Sequence, residues 1–289
     1  MPLPSMIDWH NWLNEPILVA GIAFVGVLWA VLAGPCRQRL AQRANVGPVP
    51  FPTAAAVKFY ASLLILYVAV GTPLNQIAEA YLLSVHMFQH LLVIYPAAIL
   101  FLLGLPYWMT DPVLAHPAVN GLARFFTRPV VCALVFLIVF GLWHAPWLFN
   151  AALDNELIHI VEHVMFFGAA ALYWWPLYSR SRILPPRGYA TQMLYLLAVV
   201  IGMMPIHAYI TFSNDIIYPT YATAPRLFPK FTPADDQLLA GVAMQMAIII
   251  MSMIAFTVAF YHWYQALERR HPANVGDRHR RRPTGTGAS

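Results

Sequence analysis

Long apolar runs alternate with short polar connectors from Ile17 to Trp263. Seven of these runs come near the ~20 residues that carry a helix across a bilayer: 17–33, 54–72, 79–104, 129–149, 158–178, 190–212 and 238–263. The connectors hold helix-stopping chemistry, as in Gly47-Pro48-Val49-Pro50, Gly104-Leu105-Pro106 and Pro185-Pro186-Arg187-Gly188. The pattern predicts an all-α polytopic membrane protein, a bundle of seven transmembrane helices. No polar block between the runs could fold by itself, so residues 1–267 are expected to form one membrane domain. Residues 268–289, with Arg278-His279-Arg280-Arg281-Arg282 among Gly, Thr and Pro, are expected to form a basic, disordered cytoplasmic tail. Asp8 and Glu15 precede the first run where a cleaved signal would carry basic residues, so that run is expected to be a retained helix.

Composition removes the soluble alternative, because 60% of the 289 residues are hydrophobic and 10% charged, against roughly 25% charged in an average soluble domain. The net charge of +5 points to topology and not to nucleic acid, since the cations sit in loops and in the tail. One set of alternate loops and helix edges holds Arg37, Arg39, Arg43, Lys58, Arg124, Arg128, Arg180, Arg182, Arg187 and the six arginines after position 268; the other holds Arg226 and Lys230. Cations retained on the cytoplasmic side then place the amino end outside and the carboxyl end inside a bacterial plasma membrane. Asp8, Glu15, Asp154, Glu156, Asp215, Asp235 and Asp236 fall in the outer set. Cys36 and Cys132 form no CxxC pattern and offer neither a disulfide framework nor a thiolate site. Trp143, Trp147, Trp174 and Trp175 lie near expected helix ends and read as an interfacial aromatic belt.

Histidines 86, 90, 144, 159, 163 and 207 fall in or at the edge of apolar spans, where an unpaired polar side chain is costly. Given the directions of the helices, all six project into the outer half of the bilayer. His86-Met87-Phe88-Gln89-His90 and His159-Ile160-Val161-Glu162-His163 each put two imidazoles one turn apart on one face, a spacing that can present two nitrogens to one ion. With His144 they form a candidate metal site. Imidazole suits copper, zinc or iron, and a thioether such as that of Met87 adds a preference for cuprous ion. The HxxEH string around Glu162 is also the inverted zinc-protease motif, with the carboxylate as general base. Alternatively Glu162 orients a ligating imidazole. Asp235 and Asp236 stand where they could cap the last helix or guide cations inward.

These residues also resemble a family. His86-Met87-Phe88-Gln89-His90-Leu91-Leu92, Trp143-His144-Ala145-Pro146, Ala151-Ala152-Leu153, His159, Glu162-His163 and Trp174-Trp175-Pro176-Leu177 resemble the seven-span CtaG family of cytochrome c oxidase assembly factors, in its caa-type branch. Thr232-Pro233-Ala234-Asp235-Asp236-Gln237 is similar to that family's acidic-Gln element. The resemblance implies a non-enzymatic role in maturing the oxidase by supplying copper to its catalytic subunit, with a periplasmic copper donor as a further partner. It marks His86, His90, His144, His159, His163, Asp235 and Asp236 as the positions to watch. Two other functions remain consistent with the residues: a haem-binding electron carrier, and a zinc-dependent membrane hydrolase using His159, His163 and Glu162. The loop from 212 to 231, with Tyr218-Pro219-Thr220-Tyr221, has no assigned ligand.

Overall fold

Once in a bilayer, apolar side chains need no burial in protein, so helix packing must come from close fit and from polar ties between backbones. The computed structural model, which describes residues 7–13 and 16–270, is built in this way. All its regular elements are helical: α1 (Pro16–Ala33), α2 (Arg37–Arg43), α3 (Thr53–Gly71), α4 (Pro73–Ala80), α5 (Leu83–Leu92), a π turn (Val93–Ala97), α6 (Ala98–Leu103), α7 (Tyr107–Leu114), α8 (Pro117–Phe126), α9 (Pro129–Trp143), α10 (Pro146–Asp154), α11 (Glu156–Tyr178), α12 (Tyr189–Phe212), α13 (Pro219–Thr223) and α14 (Pro233–Arg270). Six stretches are long and apolar enough to cross a membrane, and a seventh if the bent pair α8–α9 is taken as one. Large apolar side chains such as Phe24, Leu64, Ile138 and Leu194 point outward with 61–70% exposure, as a lipid-facing surface requires.

The ties are polar and short. The Ser62 hydroxyl donates to the Ala97 carbonyl at 2.7 Å, the Trp174 indole to Ile94 at 2.9 Å and the Tyr195 phenol to Tyr173 at 2.8 Å. Pro96, without an N–H, sits inside the π turn, and the Ile94 and Ala97 carbonyls belong to that turn. A Cβ on Gly241 would collide with the Thr211 hydroxyl and lie 2.9 Å from its backbone nitrogen, so only glycine lets α14 lie this close to α12.

Connections sort into two ends. At one lie the starts of α5, α11 and α14, the ends of α3, α9 and α12, and the short helices α4, α10 and α13; here the Tyr221 phenol reaches Ala78 and the Tyr218 phenol reaches His144. At the other lie α2, α7, α8 and the 179–188 loop, tied by Ser181 to Asp111 at 2.5 Å and by the Trp29 indole to Gly104 at 3.0 Å. Arg37, Arg39, Arg43, Lys58, Arg124, Arg128, Arg180, Arg182 and Arg187 gather at the second end.

Several expectations change. The fourth span, expected at 129–149, ends at Trp143, because Pro146 holds Ala145 extended and starts α10 afresh. Its 15 residues rise about 22 Å, less than the ~30 Å hydrocarbon core. The third span begins at Leu83 and not at residue 79, since Tyr81 and Leu82 leave helical geometry after α4. The last helix runs from Pro233 to Arg270, longer than the expected 238–263; the tail beyond it, like Glu15, lies outside the described residues. The aromatic belt is corrected for Trp143 and Trp174, which are 3% and 0% exposed and belong to the core, whereas Trp147 is 68% exposed.

Asp236 makes the tie with the greatest span in sequence. Its carboxylate, fully buried, accepts from the backbone N–H groups of Leu83 at 2.7 Å and Ser84 at 2.9 Å, so it caps α5 and not its own helix. Asp235 performs the local capping, exchanging bonds with Thr232 at the start of α14. Replacing Asp236 with Ala strands two N–H donors of α5, at a cost of about 2 kcal/mol. Thermal unfolding in detergent should show a clear drop in Tm for Asp236→Ala and a smaller one for Asp235→Ala; equal shifts would contradict the capping assignment.

Candidate metal centre

Five imidazoles meet at the first end. His86 and His90 stand one turn apart on α5, His159 and His163 one turn apart on α11, and His144 closes α9. All are 4% exposed or less. Ring centroids lie 4.5 Å apart within each pair, and between the helices 5.6 Å for His90–His163 and 5.9 Å for His86–His159. His144 joins through His90 at 6.2 Å. The i, i+4 spacing therefore does what the sequence requires of it: two helices present facing pairs.

Hydrogen bonding assigns the protons. The Tyr221 phenol gives its one proton to the Ala78 carbonyl at 2.6 Å, so at its 3.3 Å contact with His86 it accepts from Nδ1–H. His144 Nδ1 lies 2.7 Å from the Phe140 carbonyl and must donate to it. His159 Nδ1 donates to Glu79 Oε1 at 3.0 Å, and its Nε2 lies 3.1 Å from His163 Nε2. In each case an acceptor holds Nδ1–H and the Nε2 lone pair faces inward, the tautomer a metal-binding imidazole adopts. The Nε2 atoms of His86 and His144, both ring nitrogens of His90, and both Glu162 oxygens are buried without a hydrogen-bond partner. Burial of so many unpaired polar atoms carries a penalty of several kcal/mol that a shared cation would remove.

The donor set fits such an ion. One ligand atom from each of His86, His90 and Glu162 lies within 4.8 Å of the other two, and Glu162 Oε1 is 3.6 Å from His90 Nε2. Ligand atoms about 2 Å from a tetrahedral ion stand ~3.3 Å apart, so small side-chain rotations close the triad. The Nε2 atoms of His159 and His163 already have that spacing. Neutral imidazoles with one carboxylate suit copper, zinc or iron.

The other candidates fall outside this group. His207 bonds the Gln245 amide oxygen at 3.0 Å and meets the cluster through Phe140, whose ring stacks on His144 at 4.0 Å and contacts His207 at 5.4 Å. Met87 is fully buried, but as the neighbour of His86 it points about 100° around the helix axis. Asp235 is engaged by Thr232 and Asp236 by α5, so both support the site from behind. Gln237 completes that element, accepting from Ile217 N–H at 2.8 Å and donating to the Asp215 carbonyl at 3.1 Å. It thereby holds the 212–231 loop over the histidines. Burial, with the charge of Glu79 next in importance, keeps the Tyr221 phenol well above its ordinary pKa and so protonated.

Sequence reading missed Glu79, Asn75, Gln89 and Tyr221. Gln89, fully buried between the two α5 histidines, donates to Asn75 at 2.9 Å; Asn75 donates to Glu79 at 2.8 Å; and Glu79, 35% exposed, reaches His159. This polar chain leads from the aqueous edge to the imidazoles. The signal was available, because a carboxylate at the start of an expected span is itself anomalous. Glu79→Gln and Tyr221→Phe should each weaken metal binding about 10- to 100-fold with the fold retained. Competition against a chelator measures this, and unaltered affinity in both variants would overturn the proton assignment.

The model of one family, described as cytochrome c oxidase caa3 assembly factor (Caa3_CtaG), matches residues 27–266, a stretch containing all of these side chains. No curated protein and no solved structure matches the chain.

Proposed function

The chain belongs to the family of cytochrome c oxidase caa3 assembly factors, and on that premise we propose that it carries copper on its buried imidazoles and delivers it to the oxidase catalytic subunit. Its role is non-catalytic, and copper is cargo. One observation carries the reading: three helices bring buried imidazole nitrogens without a partner among the described residues, and the Glu162 carboxylate, into one interior. His86, His90, His144, His159 and His163 supply the nitrogens, with Glu162 as the anionic ligand or its immediate neighbour.

The histidine end faces outward from a bacterial plasma membrane. The basic second end is cytoplasmic, in keeping with retention of cations there. A periplasmic donor would load the site past Glu79, the partly exposed member of the polar chain. Release can be lateral, since a cavity of about 230 Å³ between α1, α3 and α11 has apolar walls and includes His163. A transmembrane partner could approach that side without water intervening.

The two other functions fit the geometry less well. A haem would need flat space against its axial imidazoles, and phenyl rings of Phe149, Phe166 and Phe140 pack on His86, His90 and His144 at 4.9, 4.5 and 4.0 Å. In an inverted zinc-protease site the glutamate would act beside the two histidines of its own motif. Here Glu162 approaches His90 of another helix, and His159 is tethered to Glu79.

Detergent-purified protein should contain copper above background and lack a Soret band. The combined change His86→Ala and His163→Ala should strip the metal and arrest oxidase maturation in cells. Wild-type protein with no copper after loading, or maturation unaffected by the double variant, would defeat the proposal.

A further inference from the structure

At the basic end, three spans finish at one level: α9 begins at Pro129, α11 ends at Tyr178 and α12 begins at Tyr189. Between the α8–α9 elbow and the 179–188 loop, at that level, lies a polar cavity of about 340 Å³ lined by Arg124, Arg128, Arg187, Thr127 and Trp175, among others. Among the described residues, no carboxylate lines it. Neutral groups position the guanidiniums: Arg124 Nε donates to Asn120 at 2.7 Å, Arg187 reaches the Thr127 carbonyl at 3.4 Å, and Arg128 lies over the Phe125 ring at 5.8 Å. The Trp175 indole N–H is buried and has no acceptor among the described residues. Three cations and a spare donor around one cavity, with no carboxylate among the described residues that line it, describe a site for a multivalent oxyanion.

The elbow locates that anion in the membrane surface. α8 turns 74° from α9, buries none of its residues, and exposes Leu122 at 62% and Phe125 at 48%. A short helix with apolar side chains exposed beside arginine lies in the bilayer interface, with those side chains among acyl chains. Its neighbouring cavity is then at headgroup depth, where basic pockets between spans take anionic lipid heads.

We propose that this cavity binds the phosphate of an anionic phospholipid, anchoring the α8–α9 elbow and hence the α9 helix that ends at His144. The test is native mass spectrometry of the full-length protein in detergent with phosphatidylglycerol or phosphatidylcholine added. Wild-type protein should retain phosphatidylglycerol preferentially, and the triple change Arg124→Gln, Arg128→Gln, Arg187→Gln should reduce retention at least several-fold. Trp175→Phe, which keeps an aromatic ring and removes the N–H, should lower it by a smaller factor. A matched charge loss outside the cavity, the triple change Arg37→Gln, Arg39→Gln, Arg43→Gln, should leave retention unchanged. Equal retention of the two lipids, or equal loss in the two sets of arginine variants, would overturn the site. Displacement of the lipid by millimolar inorganic phosphate would reassign it to a soluble anion and overturn the lipid reading.

Discussion

An imidazole buried at bilayer depth must dispose of two ring nitrogens, and the structure depends on how this chain disposes of them. A donor N–H can be satisfied by any carbonyl, hydroxyl or carboxylate, and His86, His144, His159 and His207 each have such an acceptor at Nδ1. The lone pair on Nε2 needs a donor, and a helix interior has few to spare, because backbone N–H groups are consumed within the helix. The Nε2 lone pairs of His86 and His144 and the ring nitrogens of His90 have no hydrogen-bond partner among the described residues. A cation is the one kind of partner able to satisfy several at once, which ties the electrostatics of the interior to the cargo proposed for it.

Holding five imidazoles against each other is itself unfavourable in the empty protein, so the surrounding scaffold must supply rigidity. Much of it comes from residues far away in sequence. Asp236 fixes the start of α5 from 153 and 152 positions away, Gln237 pins the 212–231 loop, and Tyr218 and Tyr221 of that loop bond to His144 and to α4 and His86. The acidic-Gln segment therefore supports the histidine cluster without joining it. Its carboxylates, which as a bare sequence suggest cation attraction, spend their lone pairs on backbone donors.

The parts of this arrangement legible in the sequence are those with short-range periodicity. Apolar run length located five of the spans to within four residues at either end, and i, i+4 spacing marked both histidine pairs. What escaped depends on contacts between distant segments. Trp143 and Trp174 resemble belt residues by position, and only the π turn around Pro96, whose Ile94 carbonyl accepts the Trp174 indole, draws Trp174 inward. Likewise, α10 follows from a single proline at 146 that a hydropathy window averages away. Glu79 was visible as a charge inside an expected span, yet its role depended on α4 being a separate helix that turns it toward His159.

The two ends of the bundle follow one rule in opposite senses. At the basic end, Arg124, Arg128 and Arg187 surround a cavity that no carboxylate among the described residues lines; at the histidine end, Glu162 oxygens and several imidazole nitrogens have no hydrogen-bond partner among the described residues. Internal neutralisation would have been simple, since Asp111 already accepts from Ser181 and the backbone of Arg182 at the basic end. Each end instead keeps charge or lone pairs in reserve, against the general tendency to pair buried polar groups. Unpaired polarity at defined depths is destabilising for the protein alone. It becomes favourable when a partner of opposite character completes each set, the part proposed for a copper ion at one end and a lipid headgroup at the other.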